Sequence, residues 1–469
     1  MNRLIAGWLV LAATFGSCLA GYLWRNDFPF FYHPDEESKM LQIVQHYRNF
    51  WHPLLLVNGT EVWVALSGTS GNDQGVTHAG RVLSAWCAAV AVTAAAGLAW
   101  RRHGLMTAVI VALFLGTFPM LFEIAHFMKE DTVLLMGLAL GALALDLFME
   151  KPNKRRAFLL AASVAIAFSA KYLGAIFLPV ALAAAIWRRQ FLVFFGSVLA
   201  LTLAINWQWL VHFPEVLAGL HRETDGVGWG SGGKAYGVYW KLFELQVGLP
   251  VAIIACAGLG IAAARRLKFD IGVALFGIAL FAGLSLATKT SDRYLLPVVA
   301  VTFYFLAMAL THIAGRWAIL LAVALWMPQS RVLATYVVEF QRDSRAELVA
   351  WMDKNLPPDA KVATSLWTRL PGRTVGQFKG EPQPLEFVAD RGSVANLKAE
   401  GFRYVVIADP EANRFLDQAT LGGGPAGNFA RRREFYQTLT RGKLLWKSAP
   451  GWMYVLNPGL QLYELPDGF

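Results

Sequence analysis

Long apolar runs dominate this chain, and they restrict it to a helical membrane fold. A spanning helix needs about 20 predominantly apolar residues. Such runs recur at 4–24, 82–100, 105–122, 132–149, 157–170, 172–187, 191–210, 245–264, 270–288, 294–312 and 317–333. In lipid every backbone N–H and C=O must find its partner inside the protein, which a helix achieves locally. The pattern predicts a multispanning α-helical protein with about 11 transmembrane helices over residues 1–333. Composition agrees, with 56% hydrophobic and 16% charged residues, against about 25% charged in soluble domains. The first run is too long for the core of a secretory signal and lacks a small-x-small cleavage pattern. It reads as a retained anchor.

The net charge of +10 raises the question of nucleic acid, and its distribution answers against it. Residues 1–333 carry 25 Lys/Arg and 17 Asp/Glu, and residues 334–469 carry 17 and 15. The basic residues instead mark topology. Arg3, Arg101-Arg102, Lys151/Lys154/Arg155/Arg156, Arg188-Arg189, Arg265-Arg266/Lys268 and Arg316 occupy alternate connections. The positive-inside rule makes that side cytoplasmic. The N-terminus is then inside, and the domain after residue 333 is outside. Of the 17 acidic residues before 334, 14 fall on the external side.

Two external segments, 25–81 and 211–244, are long. Within the first, Met40, Val44, Tyr47 and Trp51 recur at helical spacing opposite Lys39, Gln42 and Arg48. This predicts an interfacial amphipathic helix over 35–51, stopped by His52-Pro53. The glycine-rich stretch 222–237 predicts a loop. Cys18, Cys87 and Cys256 are far apart in apolar runs and read as buried apolar residues. Residues 334–469 predict a small external α/β domain. It has a helix over 338–356, strands at 361–367 and 402–408, a basic helix over 428–440, and late strands near 444–448 and 453–464.

The external face carries the chemistry. Asp35 and Glu36 lie in His33-Pro34-Asp35-Glu36-Glu37, and Lys129-Glu130-Asp131 forms a second cluster. Carboxylates at a membrane boundary are costly unless paired, hydrated or used. One such group can act as a general base while a neighbour orients it or holds a hard divalent cation. If the chain is helical there, Glu123, His126 and Glu130 share one face. Arg81, Lys171-Tyr172 and Arg293-Tyr294 add external basic residues suited to a phosphate.

Taken in order, these motifs resemble the GT-C glycosyltransferases, in the branch of protein O-mannosyltransferases and aminoarabinose transferases. The carriers are the HPDE segment with His52-Pro53, Phe127-Met128-Lys129-Glu130-Asp131-Thr132, Ser169-Ala170-Lys171-Tyr172, Arg293-Tyr294-Leu295-Leu296-Pro297 and Ala350-Trp351-Met352…Asn355-Leu356-Pro357. The resemblance implies an inverting transfer from a polyprenyl-phosphate-sugar donor on the external face of a bacterial inner membrane. It implies Asp35 as the base acting on the acceptor, with Glu36 beside it. Lys129, Lys171, Tyr172, Arg293, Tyr294 and Arg81 would serve the donor phosphate. Glu130 and Asp131 would support it through a cation or basic partners, with Glu123 and His126 as further metal candidates. Here Glu130 intervenes where the family often has Pro or Tyr after its Lys, so the working carboxylate is either Glu130 or Asp131. The sugar, the acceptor and metal use stay open. The rival readings are a flippase or transporter of a lipid-linked sugar, a surface-polysaccharide polymerase or ligase, and a non-enzymatic envelope scaffold.

Overall fold

The computed structural model describes residues 3–227, 234–287, 290–371, 385, 387–416, 426–453 and 455–465. Of these residues 75% are helical, and the chain divides into two units. The first comprises Met1–Asn26 and Ser38–Leu333, and the second Asp27–Glu37 and Ala334–Phe469.

The first unit is a bundle of apolar helices. Five helical segments among the described residues are long and apolar enough to cross a membrane: Leu4–Leu23, Asp73–His103, Glu130–Glu150, Lys268–Ser285 and Asp292–Asn355. The last contains the helices Leu296–Ala314 and Ala318–Glu339. Two bent pairs, Leu105–Gly116 with Pro119–Ala125 and Gly237–Val247 with Leu249–Ala264, bring the count to seven when each is one span. Shorter apolar helices cover Leu55–Ser67, Tyr172–Trp187 and Phe191–Ile205. This is the helical architecture of a multi-pass membrane protein.

Local sequence explains the boundaries that matter. Asn72 Oδ1 accepts from Gly75 N at 2.8 Å and caps Asp73–His103. Asn153 Oδ1 accepts from Arg156 N at 2.9 Å and caps Lys154–Ala170. Each closes one of the orphan donors at a helix start. Gly137 lets Glu130–Glu150 approach Lys154–Ala170: a Cβ there would lie 2.5 Å from Ala167 N. Close approach at small residues is the usual contact between membrane helices. At the basic end of the bundle, Asp270 accepts from Arg102 Nη2 and His103 Nε2, both at 2.9 Å, and from the Tyr304 hydroxyl.

Three expectations change. The amphipathic helix stops at Val44, and His46 and Phe50 take φ of 52°. Its expected wet face is turned inward, with Lys39 and Gln42 buried and Val44, Tyr47 and Trp51 exposed, because Lys39 finds a buried carboxylate. Residues 213–227 and 234–247 are helical, so Asp225-Gly226 and Tyr236 lie in helices. Of the expected glycine-rich loop, Gly228, Trp229, Gly230 and Gly232-Gly233 lie outside the described residues. Cys18 and Cys87 are buried, whereas Cys256 is exposed.

The second unit holds a four-stranded sheet with β1 (Val362–Ala363), β2 (Tyr404–Ala408), β3 (Lys443–Lys447) and β4 (Leu460–Glu464), ordered β1-β2-β4-β3. β1 and β2 run parallel, and the other pairs are antiparallel. Along β2, Val405 and Ile407 join a core with Phe415, Tyr436 and Leu439. Tyr404, Val406 and Ala408 join another with Leu348 and Met352. Both faces of β2 are covered, which explains a strand with no polar alternation.

Within the first of these cores Glu411 is 1% exposed. It accepts from Ser365 Oγ at 2.6 Å, Val388 N at 2.9 Å and the Tyr436 hydroxyl. Burial outweighs these donors and pushes its carboxyl up to about 7. The folded value exceeds the unfolded one, so its contribution is complete below the ordinary carboxyl range and is lost as pH rises to about 7. The loss amounts to about 3 kcal/mol. Glu411→Gln should remove this slope. Hydrogen exchange of β2 in the full-length protein, expressed as opening free energy, should fall between pH 5 and pH 8 in wild type and stay level in the variant. Equal slopes would refute it.

Candidate functional site

The site in the first unit forms where three chain breaks meet. Glu130-Asp131 open Glu130–Glu150, Lys171 ends Lys154–Ala170, and Arg293 lies in the turn Asp292–Leu295. The contacts of Gly137 and Gly174 with Ala167, four residues before Lys171, hold the first two together: a Cβ on Gly174 would lie 2.1 Å from Ala167 O. Lys171 Nζ then donates to Asp131 Oδ1 at 2.6 Å. Arg293 Nε stands 3.7 Å from Asp131 Oδ2, which accepts no hydrogen bond among the described residues. The Tyr294 ring centroid is 4.8 Å from Lys171 Nζ. Beside them Lys39 Nζ stands 3.2 Å from Glu130 Oε1.

These charges are nearly all buried; Glu130 and Asp131 are 5% and 4% exposed, Lys171 7%. Burial opposes the Lys171 ammonium, but Asp131 more than offsets it and holds the group above its ordinary value. His52 is the opposite case. Burial is the largest influence on it and lowers its imidazole, with Glu130, Lys171, Lys39 and Glu223 all acting on it. It stands neutral at neutral pH beside a charged cluster.

The other expected residues of this unit are placed as follows. Lys129 is buried, and its N–H donates to Ser84 Oγ at 3.0 Å. Tyr172 donates its hydroxyl to Phe50 O at 3.3 Å and stacks on Trp209. Arg81 is wholly buried and gives Nη1 to Asn26 O at 2.9 Å. The shared helical face of Glu123, His126 and Glu130 does not form. The helix Pro119–Ala125 ends at His126, and a new one starts at Glu130. His126 pairs its ring nitrogens with Phe122 O and Trp24 O. Among the described residues no three His, Cys, Asp or Glu side chains group for a metal ion. Lys39 and Lys171 each pair with one carboxylate, Glu130 and Asp131 respectively.

In the second unit, Asp35 and Glu36 open the helix Pro34–Val44. Asp35 is exposed, and its N–H donates to His33 Nδ1 at 3.1 Å. Glu36 is buried.

Residues 70–209 match the family described as dolichyl-phosphate-mannose-protein mannosyltransferase. No curated protein matches by sequence. Among solved structures, ArnT from Cupriavidus metallidurans bound to undecaprenyl phosphate superposes with a TM-score of 0.58 at 15% identity, covering 97% of this chain and 98% of that one. The Archaeoglobus fulgidus oligosaccharyltransferase AglB, with an inhibitory peptide and a dolichol-phosphate, gives 0.54 at 12% identity, covering 94% and 73%. The fold is that of the GT-C glycosyltransferases. Of the side chains gathered here, Asp131, Lys171, Arg293 and Tyr294 are among the expected site residues, whereas Lys39 and His52 are not. Lys39 stands on what the pattern presents as a solvated face, and His52 enters as a helix stop and within the His52-Pro53 pair of the resemblance, without a role at a site. The signal for Lys39 is its place one helical turn after Asp35, two residues beyond the His33–Glu37 motif.

Proposed function

We propose that the protein is an inverting glycosyltransferase acting on the external face of a bacterial inner membrane. Its N-terminus is cytoplasmic, its C-terminal domain external, and the chain crosses the bilayer about 11 times. Its donor is a polyprenyl-phosphate sugar. The observation that carries this reading is the Lys171–Asp131–Arg293 cluster. In this unit Lys39, Lys171 and Arg293 face two carboxylates, Glu130 and Asp131. Basic side chains gathered in this way suit an anion, and a donor phosphate supplies one.

An apolar groove of about 880 Å³ supports a lipid-linked donor. Its walls include Leu135 and Pro297, one helical turn beyond Asp131 and Arg293, and continue through Leu98, Ala142, Phe276 and Val301. A phosphate at Lys171 and Arg293 can thus continue into an apolar channel as a polyprenyl chain.

In the reaction, an acceptor hydroxyl or amine attacks the anomeric carbon on the face opposite the phosphate. The carbon–oxygen bond to phosphate breaks, and the phosphate leaves with the electron pair. Asp35 takes the acceptor proton. Charge grows on the departing phosphate, where Lys171 and Arg293 stabilise it most. Asp131 aims both cations, and Glu130 does the same for Lys39. Glu36 supports the turn that presents Asp35. Lys129, Tyr172 and Arg81 frame the cluster.

The test is a lipid profile by mass spectrometry of membranes lacking the protein, then with wild type restored. One polyprenyl-phosphate sugar should accumulate in the deletion and fall on restoration, which also names the donor. An unchanged lipid profile would refute the transferase reading.

A further inference from the structure

Asp35 is an exposed side chain in the first turn of Pro34–Val44. Its placement follows the backbone that carries it. That backbone, Asp27–Glu37, belongs to the second unit together with Ala334–Phe469, and it is fastened there at three points. Near its start, Phe28 packs on Phe340 with ring centroids 6.0 Å apart. In its middle, the buried Tyr32 donates its hydroxyl to Asp343 Oδ2 at 2.5 Å. The Arg345 guanidinium lies over the Tyr32 ring, 4.3 Å from its centroid. At its end, Glu37 Oε1 accepts from Arg369 Nη1 at 2.6 Å.

The anchors are themselves fixed. Asp343 caps Ser344–Asn355 by accepting from Arg345 N and Ala346 N. Arg345 is 1% exposed. It gives Nη1 to the carbonyls of Val455 and Leu456 at 3.1 and 2.8 Å, and Nη2 to Trp367 O at 3.0 Å. Trp367 stands two residues before Arg369. The guanidinium that grips Tyr32 therefore also holds the segment that delivers Arg369 to Glu37. The Arg369–Glu37 pair is mostly shielded, with side chains 16% and 14% exposed, so it is held more firmly than a surface pair.

We propose that Arg369, with Asp343 and Arg345, is a positioning residue for the transfer: the C-terminal unit grips the Asp27–Glu37 turn on both sides of Asp35 and sets where the base stands. This rests on the assignment of Asp35 above. The C-terminal domain thereby acquires a role in turnover. Misplacing a catalytic group by about 1 Å can cost roughly 100-fold in rate.

The experiment compares full-length wild type, Arg369→Ala, Arg369→Lys, Tyr32→Phe and Asp35→Asn. Three readouts are taken: hydrogen exchange of peptides covering 28–37, clearance of the accumulated lipid-linked sugar in deletion cells, and binding of undecaprenyl phosphate to purified protein. Arg369→Ala should raise exchange over 28–37 and slow clearance by about 10- to 100-fold, with undecaprenyl phosphate bound as in wild type. Arg369→Lys, which keeps the charge, should recover part of both losses. Tyr32→Phe removes only a hydroxyl, and should move exchange and clearance the same way should Arg369→Ala not fold. The proposal is overturned if Arg369→Ala clears the lipid at the wild-type rate while Asp35→Asn is inactive. It is equally overturned if clearance falls with exchange over 28–37 unchanged, or if Lys does no better than Ala. Full activity of Asp35→Asn would instead strike the transfer assignment itself, while the exchange data would still report on the grip.

Discussion

Asp35→Asn should abolish transfer by about 10²- to 10⁴-fold while leaving the protein folded. The substitution keeps the shape of the side chain and removes its ability to take a proton. Asp35 is exposed in the first turn of Pro34–Val44. The structural cost is the loss of a favourable charge at a helix N-terminus, about 0.3–1 kcal/mol. The main-chain bond from Asp35 N to His33 Nδ1 survives the change. Deletion cells carrying the variant should keep the accumulated polyprenyl-phosphate sugar at the level of the deletion. The purified variant should match wild type in thermal unfolding and in binding undecaprenyl phosphate. Normal clearance would remove Asp35 from the reaction. Lost clearance together with lost undecaprenyl-phosphate binding would place Asp35 in donor binding rather than in proton transfer. A scaffold would be indifferent to the substitution.

What could be read in the chain beforehand follows a physical division. Apolar runs report burial in lipid directly, so the helices of the first unit were legible from residues such as 132–149. The β2 run Tyr404–Ala408 was legible for the same reason, as an unbroken buried stretch. The motif residues Asp131, Lys171 and Arg293 were legible as types placed at helix ends. Their mutual contact was not, because it depends on Gly137 and Gly174 letting two backbones meet at Ala167. The partnership of Lys39 with Glu130 was hidden for another reason. A lysine in an amphipathic pattern ordinarily marks the wet side, and only a buried carboxylate far along the chain reverses that. The helix expected over 35–51 ends at Val44, because His46 and Phe50 beyond it take left-handed backbone conformations. Helical periodicity in Glu123, His126 and Glu130 misled in the same way, since the helix ends between them.

Asp131→Asn should make donor binding weak and pH-dependent where wild type is strong and level. In the wild type, burial opposes the Lys171 charge and Asp131 overrides it, holding the ammonium above its ordinary value. Lys171 therefore stays charged throughout the neutral and mildly alkaline range. Asparagine keeps the size of the side chain but removes the countercharge, so burial then governs Lys171 and lowers its value. The variant's ammonium is present at low pH and is lost as pH rises through that lowered value. Losing one charge-assisted contact to phosphate costs about 1.5–3 kcal/mol, or roughly ten- to a hundred-fold in affinity. His52 does not confuse the profile above neutral pH, because burial lowers its imidazole as well. Binding of undecaprenyl phosphate, measured at steps from pH 6 to pH 9, should be nearly constant in wild type and should fall towards alkaline pH in Asp131→Asn. In Lys171→Ala it should be weak at every pH. A variant as flat and as strong as wild type would show that the Asp131–Lys171 pair only braces the helices. A flat but weak variant would assign Asp131 to shaping the site rather than to keeping Lys171 charged.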